Sequence, residues 1–314
     1  MFSTDIEPAR SLLIDASREG LLRFAIIEPL ARDIRNVQEI DVHTVPTFTD
    51  ALQSFAHENN LKLRGLNCIM AVASVTSEEN VAIGRTRWMI ARVGLGAIFG
   101  RPVTIINNVA AKAWALDAGT ATLDDLRGGG VFDLSHRGRY IIINVDQGVG
   151  CALIEVDNSG EIRVSETEAG HMDFPPLSDV EATIAHAIRG SSPLASWEKM
   201  LVLDRHSSAW SAAGPKAMRG ERQRFLASIL GRFAVNLVNA YGAWQGVLVT
   251  GGTTANLLKG IGRTAFDEPF QGRRHFSRLI AACPAWHVRQ KKAVLTGALQ
   301  YLHHGMLIDL PAAA

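Results

Sequence analysis

Apolar runs of strand length alternate along this chain with segments of helical spacing. Ser11-Leu-Leu-Ile-Asp15 and Leu21-Leu-Arg-Phe-Ala-Ile-Ile27 flank a short polar segment, the pattern of a β-hairpin. From Thr47 to Leu61 the apolar residues Phe48, Leu52, Phe55 and Ala56 recur at helical spacing, with Thr49 or Asp50 as the expected cap. Asn67–Ala73 reads as a buried strand, Arg87–Phe99 as a helix stopped by Gly100, Val103–Ile106 as a strand, and Ala110–Ala118 as a helix. Tyr140–Val145 runs as a strand into Asp146-Gln-Gly-Val-Gly150, resumes at Cys151–Val156 and turns at Asp157–Gly160. Glu181–Met200 carries helical signals, and Glu221–Gly246 is a long amphipathic helix with Phe225, Leu226, Ile229, Leu230, Phe233, Leu237 and Val238 on one stripe. Val247–Thr250 is a strand entering Gly251-Gly252, and Thr296–Met306 is a closing helix. The Gly-rich polar stretch from Gly128 to Arg139 is expected to be a mobile loop. Strands alternating with helices predict an α/β fold. Asn108, after the strand Val103–Ile106, is the expected domain boundary.

Length and composition narrow the class. The chain has 314 residues, enough for about two domains, with 47% hydrophobic and 20% charged residues. A formal net charge of +1 provides no field for nucleic acid or an anionic membrane. The three cysteines, Cys68, Cys151 and Cys283, lie far apart without metal-ligand spacing, which fits a reducing compartment. No basic start leads into an apolar run, and no apolar stretch approaches the ~20 residues of a membrane helix. A cytoplasmic location without membrane or nucleic-acid partners is the expectation.

Several segments, in order, resemble the bacterial glucokinase family. Ile105-Ile-Asn107-Asn108-Val-Ala-Ala-Lys-Ala-Trp is similar to its strand–Asn-Asp–helix segment, and Glu168-Ala-Gly-His171-Met-Asp173-Phe174 to its Glu-x-Gly-His-x-Asp-Phe signature. Trp197-Glu198-Lys-Met-Leu resembles the helix carrying a second sugar-binding Glu. Gly231-Arg-Phe-Ala, Gly246-Val-Leu-Val-Thr-Gly-Gly252 and Leu295-Thr-Gly297-Ala298 resemble the late helix, the nucleotide-edge strand and the closing step. The resemblance spans nearly the whole chain, with Glu168–Phe174 its most specific part. It implies an actin-like (ribonuclease H-like) sugar-kinase fold: a small domain, residues 1–108 completed by a C-terminal helix at 298–314, and a large domain, 109–297, with a cleft between them. It also implies a homodimer. The zinc-containing and repressor branches of the wider superfamily fit less well, since the chain has no Cys cluster and no DNA-binding extension.

The resemblance assigns Asn107, Asn108, Glu168, His171 and Glu198 to D-glucose or a related hexose. Glu168 and Glu198 would accept hydrogen bonds from ring hydroxyls and His171 would bond one more, while Asp173 orients the loop. A site built to hydrogen-bond a hydroxyl strongly rejects analogues lacking it.

The phosphate-handling positions depart from the family. Its catalytic Asp is Asn108 here, and an amide cannot serve as a carboxylate base. The family's first phosphate loop, Asp-x-Gly-Gly-Thr-Asn, is replaced by Asp15-Ala16-Ser17-Arg18-Glu19-Gly20. Arg18 either helps grip phosphate or sits solvated at a hairpin tip. In the second loop, Gly-Thr-Gly-x-Gly becomes Asp146-Gln147-Gly148-Val149-Gly150. Asp146 is the candidate substitute base, and Asp146 and Asp15 could share Mg²⁺. Arg85 and Arg87 stand where the family has a Thr-Asn pair before Trp88. By resemblance, Asp15, Ser17, Gln147, Gly148, Gly251, Gly252 and Gly297 are the ATP positions, with ATP and Mg²⁺ needed only if the protein is active. The leading expectation is a hexose-binding protein, sensor- or regulator-like, with weak or lost ATP-dependent phosphotransfer. The alternatives are an active glucokinase with a non-standard base and an interaction scaffold binding neither ligand.

Overall fold

The computed structural model describes residues 10–83, 86, 88–202, 219–272 and 276–308, which group into two compact units. Unit 1 comprises residues 1–120 and 291–314, and unit 2 comprises residues 121–290.

In unit 1, β1 (Ser11–Arg18) and β2 (Leu21–Ile27) form the expected hairpin, to which β3 (Gln38–Asp41) adds antiparallel. On its other side β1 pairs parallel with β4 (Asn67–Val72), and β4 with β7 (Thr104–Asn107), giving the order β3-β2-β1-β4-β7. Successive strand side chains point to opposite faces. Leu12 and Ile14 therefore join a core with Phe24, Phe48, Leu52 and Phe55, whereas Leu13 joins another with Ile69, Ala111 and Leu295. Burial on both faces is why β1 reads as an unbroken apolar run.

The first core is roofed by α1 (Phe48–Glu58) and α2 (Arg92–Phe99). The α1 cap is Thr47, two or three residues earlier than expected: its hydroxyl oxygen accepts from the Asp50 amide at 3.1 Å. The expected helix over 87–99 begins only at Arg92, because Met89–Ala91 forms β6, paired antiparallel with β5 (Asn80–Ala82). The second core is covered by α3 (Asn108–Trp114), and by α10 (Ala293–Ile308) at the end of the chain. Gly297 allows that crossing, since a Cβ there would stand 1.6 Å from the Ala111 carbonyl oxygen. This packing keeps α3 in unit 1, whose first segment runs to residue 120 and whose returning C-terminal segment begins at residue 291.

Unit 2 is built on a second mixed sheet, in the order β11-β10-β9-β12-β13-β8. Its strands are β8 (Thr122–Arg127), β9 (Gly138–Val145), β10 (Val149–Val156), β11 (Ile162–Thr167), β12 (Gly246–Thr250) and β13 (Ala285–Arg289). Here too three consecutive antiparallel strands are followed by a parallel partner, β9 with β12, repeating the scheme of unit 1. The expected helix over Glu181–Met200 is two helices, α4 (Asp179–Ile188) and α5 (Trp197–Leu201), since Gly190 adopts φ +65° and Pro193 follows. The long amphipathic helix is α6 (Arg219–Tyr241), whose Ile229, Leu230, Phe233 and Leu237 are buried with β9 and β10. Among the described residues the unit has three further α-helices, α7 (Thr254–Leu257), α8 (Ile261–Asp267) and α9 (Ser277–Ala282). The Gly-rich loop before β9 is irregular but anchored. Phe132 packs edge-on against Tyr140 and Trp286, and the Tyr140 hydroxyl donates to the Asp133 carbonyl at 3.1 Å. No described helix is long and apolar enough to cross a membrane.

Candidate functional site

Three segments of unit 2 meet at the turn between β9 and β10. The turn closes with the Asp146 amide donating to the Gly148 carbonyl at 3.0 Å, and β10 starts at Val149. The Val149 amide donates to Glu198 Oε2 at 3.0 Å. Gly148 permits this approach, because a Cβ there would lie 2.7 Å from the same carboxylate oxygen. From the other direction, Gly170 lets the turn Ala169–His171 lie on Val149, where a Cβ would stand 2.3 Å from the Val149 carbonyl oxygen. Glu168 and His171 flank that glycine, with Nε2 of His171 3.5 Å from Glu168 Oε2. Both side chains are solvent-facing, with 51% and 59% of their surfaces exposed, so their hydrogen-bonding edges are open to a solute.

The supports of these residues are mostly less exposed, with Phe174, Ala195 and Trp197 buried and Thr167, Ser196 and Tyr241 half-buried. The Thr167 and Tyr241 hydroxyls lie 2.7 Å apart, fixing the strand end before Glu168. Beyond His171 the chain runs antiparallel to the start of α5: Trp197 N–H donates to Met172 O at 3.0 Å and Phe174 N–H to Ala195 O at 2.8 Å. Asp173 bridges to Ser196 through this ladder and its side chain is exposed. Ser196 caps α5 by accepting from the Lys199 amide at 3.2 Å, which sets Glu198 in the first turn. The structure thus brings Glu168, His171 and Glu198 to one place. Two carboxylates and an imidazole around a backbone turn can accept and donate to several hydroxyls of one small polyol.

Gly251 and Gly252 follow β12 in the same unit. Gly251 has φ +119°, and a Cβ would stand 2.1 Å from the Val145 carbonyl oxygen, so contact with β9 requires this glycine whatever binds nearby. The Gly252 amide donates to Asp146 Oδ1 at 2.9 Å. Thr253 donates to Val145 O at 2.8 Å and Thr254 to Gly251 O at 2.7 Å. The Thr254 hydroxyl also lies 2.9 Å from Nε2 of His287, which is buried and whose pKa burial holds below the ordinary histidine range.

The remaining predicted residues lie in unit 1. Asn107 is the cap of α3: its Oδ1 accepts from the Val109 amide at 2.7 Å and the Ala110 amide at 3.4 Å. Asn108 is the first helical residue and is half-buried. Asp15 is fully buried and already engaged on both oxygens. Oδ2 is paired with Arg23, and Oδ1 accepts from the Ser17 amide at 3.0 Å and the Ser17 hydroxyl at 2.6 Å. Gly297 serves helix packing in unit 1. Arg85 and Arg87 fall outside the described residues.

Magnesium draws on carboxylate oxygens that keep room for waters and phosphate. Asp15 does not fit that role, its oxygens being taken, and Asp146 is committed to the Gly252 amide. Among the described residues no group of three or more His, Cys, Asp or Glu is placed to hold a metal ion. Together these residues do not fit a magnesium–triphosphate group at Asp15.

Two features of the site escaped sequence reasoning. The Val149 amide carries no side-chain signal. Arg232 and Glu181 form a buried ion pair behind the site, at 3.0 Å. Its signal was a lone arginine between Leu230 and Phe233 on the apolar stripe of α6.

The family model described as Glucokinase matches residues 21–202 and 208–305. A curated glucokinase of Stenotrophomonas maltophilia (strain R551-3) is 26% identical over 311 residues, covering 89% of this chain and 91% of its own. Among solved structures, glucokinase from an Antarctic psychrotroph superposes with a TM-score of 0.70 at 20% identity, covering 94% of this chain and 99% of that one. Glucokinase from Balamuthia mandrillaris in complex with glucose gives a TM-score of 0.70 at 14% identity, covering 96% of each chain. At these identities the structures speak for the fold alone, which is the actin-like α/β fold of sugar kinases.

Proposed function

The chain belongs to the glucokinase family, and from that premise we propose that it binds D-glucose or a related hexose while its ATP-dependent phosphotransfer is weak or lost. The observation that carries the reading is the meeting of Glu168, His171 and Glu198 around Val149. In it, Glu168 and Glu198 accept from ring hydroxyls and His171 bonds a further hydroxyl. The glucose complex of a protein of the same fold supports the choice of sugar.

Transfer to a sugar hydroxyl needs its proton removed as the phosphoryl group arrives. The carboxamide of Asn108 cannot take that proton, and loss of a general base costs about 10²–10⁴-fold in rate. The engaged oxygens of Asp15 work against metal binding there, and the Gly252 amide on Asp146 works against its service as a substitute base. A sugar sensor or regulator is the role that combines a retained hexose site with impaired chemistry.

Thermal melting with and without glucose, beside an assay of glucose 6-phosphate formation with Mg-ATP, tests both halves. Glucose at about 100 times its Kd should stabilise the fold by about 2.7 kcal/mol. Product formation should stay at least ~100-fold below that of an active family member assayed in parallel. No melting shift at saturating millimolar sugar overturns the binding half. Turnover of ~1 s⁻¹ or faster, within the ordinary enzyme range, overturns the other.

A further inference from the structure

We infer that Arg232 is a positioning residue for the hexose site, holding in register the two segments that carry Glu168, His171 and Glu198; the inference rests on the proposed sugar-binding reading.

Arg232 lies on α6 with only 9% of its side chain exposed, and its partner Glu181 on α4 keeps 13%. The pair is a fork: Nη1 donates to Oε1 at 3.1 Å and Nη2 to Oε2 at 3.0 Å. Glu181 Oε2 also accepts from the Leu177 amide at 2.7 Å, so the same carboxylate holds the end of the segment leaving His171. The guanidinium carbon lies over both rings, 4.8 Å from the Phe174 centroid and 5.5 Å from that of Trp197. Phe174 closes the Glu168–Phe174 signature, and Trp197 immediately precedes Glu198. The two rings meet edge to face, with centroids 4.9 Å apart at 84°.

A single planar cation therefore touches the last residue of one sugar-bearing segment and the first residue of the other. Among the described residues Arg232 Nε has no hydrogen-bond partner, so the ring faces and the Glu181 fork set the orientation of the guanidinium. Lysine, a point charge on a flexible stem, supplies neither the fork nor the flat face. If the rings shift, so does the spacing of the Glu198 and Glu168 carboxylates about Val149. Sugar recognition by several hydroxyls at once is sensitive to that spacing.

The test compares wild type with Arg232→Lys and with the double variant Arg232→Met/Glu181→Met. The double change replaces a buried ion pair by apolar side chains, which cores often tolerate. Affinity for D-glucose and for a set of its monodeoxy analogues is measured calorimetrically, well below each variant's melting temperature. The expected result is a glucose Kd at least tenfold weaker in both variants, with discrimination against the deoxy analogues reduced and the far-UV spectrum unchanged. A merely structural role lowers melting temperature but leaves discrimination intact; a Kd within twofold of wild type in folded Arg232→Lys overturns the inference. Wild type that binds no glucose removes the proposed function and the positioning role with it, an outcome distinct from wild type that binds as well as its variants do.

Discussion

Gly170 rests on the Val149 carbonyl so closely that a Cβ on residue 170 would stand 2.3 Å from that oxygen. Backbone meets backbone there, and neither can rotate away as a side chain would. The contact links the turn bearing Glu168 and His171 to the strand whose amide holds Glu198.

Gly170→Ala should therefore push the two segments apart. Overpacking of this kind costs about 1–3 kcal/mol of stability. Glucose affinity should fall at least tenfold, while an alanine at Gly160, which has open space around it but a φ of +82°, should cost some stability and leave affinity unchanged. Urea unfolding and calorimetry on the two variants make the comparison.

Removing the arginine beneath Asp15 should be severe. Arg23→Ala leaves a fully buried carboxylate with only Ser17 as partner. Breaking one side of a buried pair costs about 3–5 kcal/mol. The expected loss of urea stability should be largely recovered in Arg23→Ala/Asp15→Ala, which removes the stranded charge.

Asn108→Asp restores a carboxylate in the first turn of α3, where negative charge is favoured by about 0.3–1 kcal/mol. Stability should hold or rise. Glucose 6-phosphate formation should increase over wild type by about 10²-fold, yet stay slow if the phosphate loops are also impaired. Equal rates in the two proteins would show that the lost carboxylate is not what limits transfer.

The pH dependence of folding stability should be set in part by His287. Its pKa is held below the usual histidine range, first by burial, and Arg289 and Lys259 act in the same direction; Asp124, 3.7 Å from Nδ1, opposes them. The unfolded chain then binds a proton more readily than the folded one, so the unfolded state gains as pH falls. His287 contributes its full stability above the unfolded value of about 6.5 and loses it as pH drops through the folded one. Melting temperature should fall between pH 7 and pH 5, and His287→Gln should flatten that fall. An unchanged slope in the variant would assign the pH response to other groups.

Where strands are buried on both faces, their continuous apolar runs exposed them in the sequence: β1, β4 and β9 were all legible. Of the edge strands, β7 was read at Val103–Ile106, but β3, β8 and β11 were not. In β8, Thr122–Arg127 buries only Leu126, and β11 alternates exposed residues along one side of the sheet, so neither offers an apolar run. β13 is buried but short and follows Pro284, which hides it among loop residues. The helix-like spacing at Met89–Ala91 failed for another reason, as pairing with Asn80–Ala82 took those residues into a ribbon. At the site, the side-chain positions Glu168, His171 and Glu198 were readable through resemblance. The Val149 amide that anchors Glu198, and the prior commitments of Asp15 and Asp146, come from tertiary contacts that no residue pattern encodes.

The central claim is that Glu168, His171 and Glu198 form one hexose site, and direct calorimetric titration with D-glucose, in the absence of nucleotide, addresses it most plainly. Wild type should bind with a stoichiometry of one per chain, and Glu198→Ala and Glu168→Ala, verified as folded, should each weaken binding at least tenfold. Wild-type protein that is folded and releases no heat at millimolar glucose, or variants that bind as tightly as wild type, would contradict it.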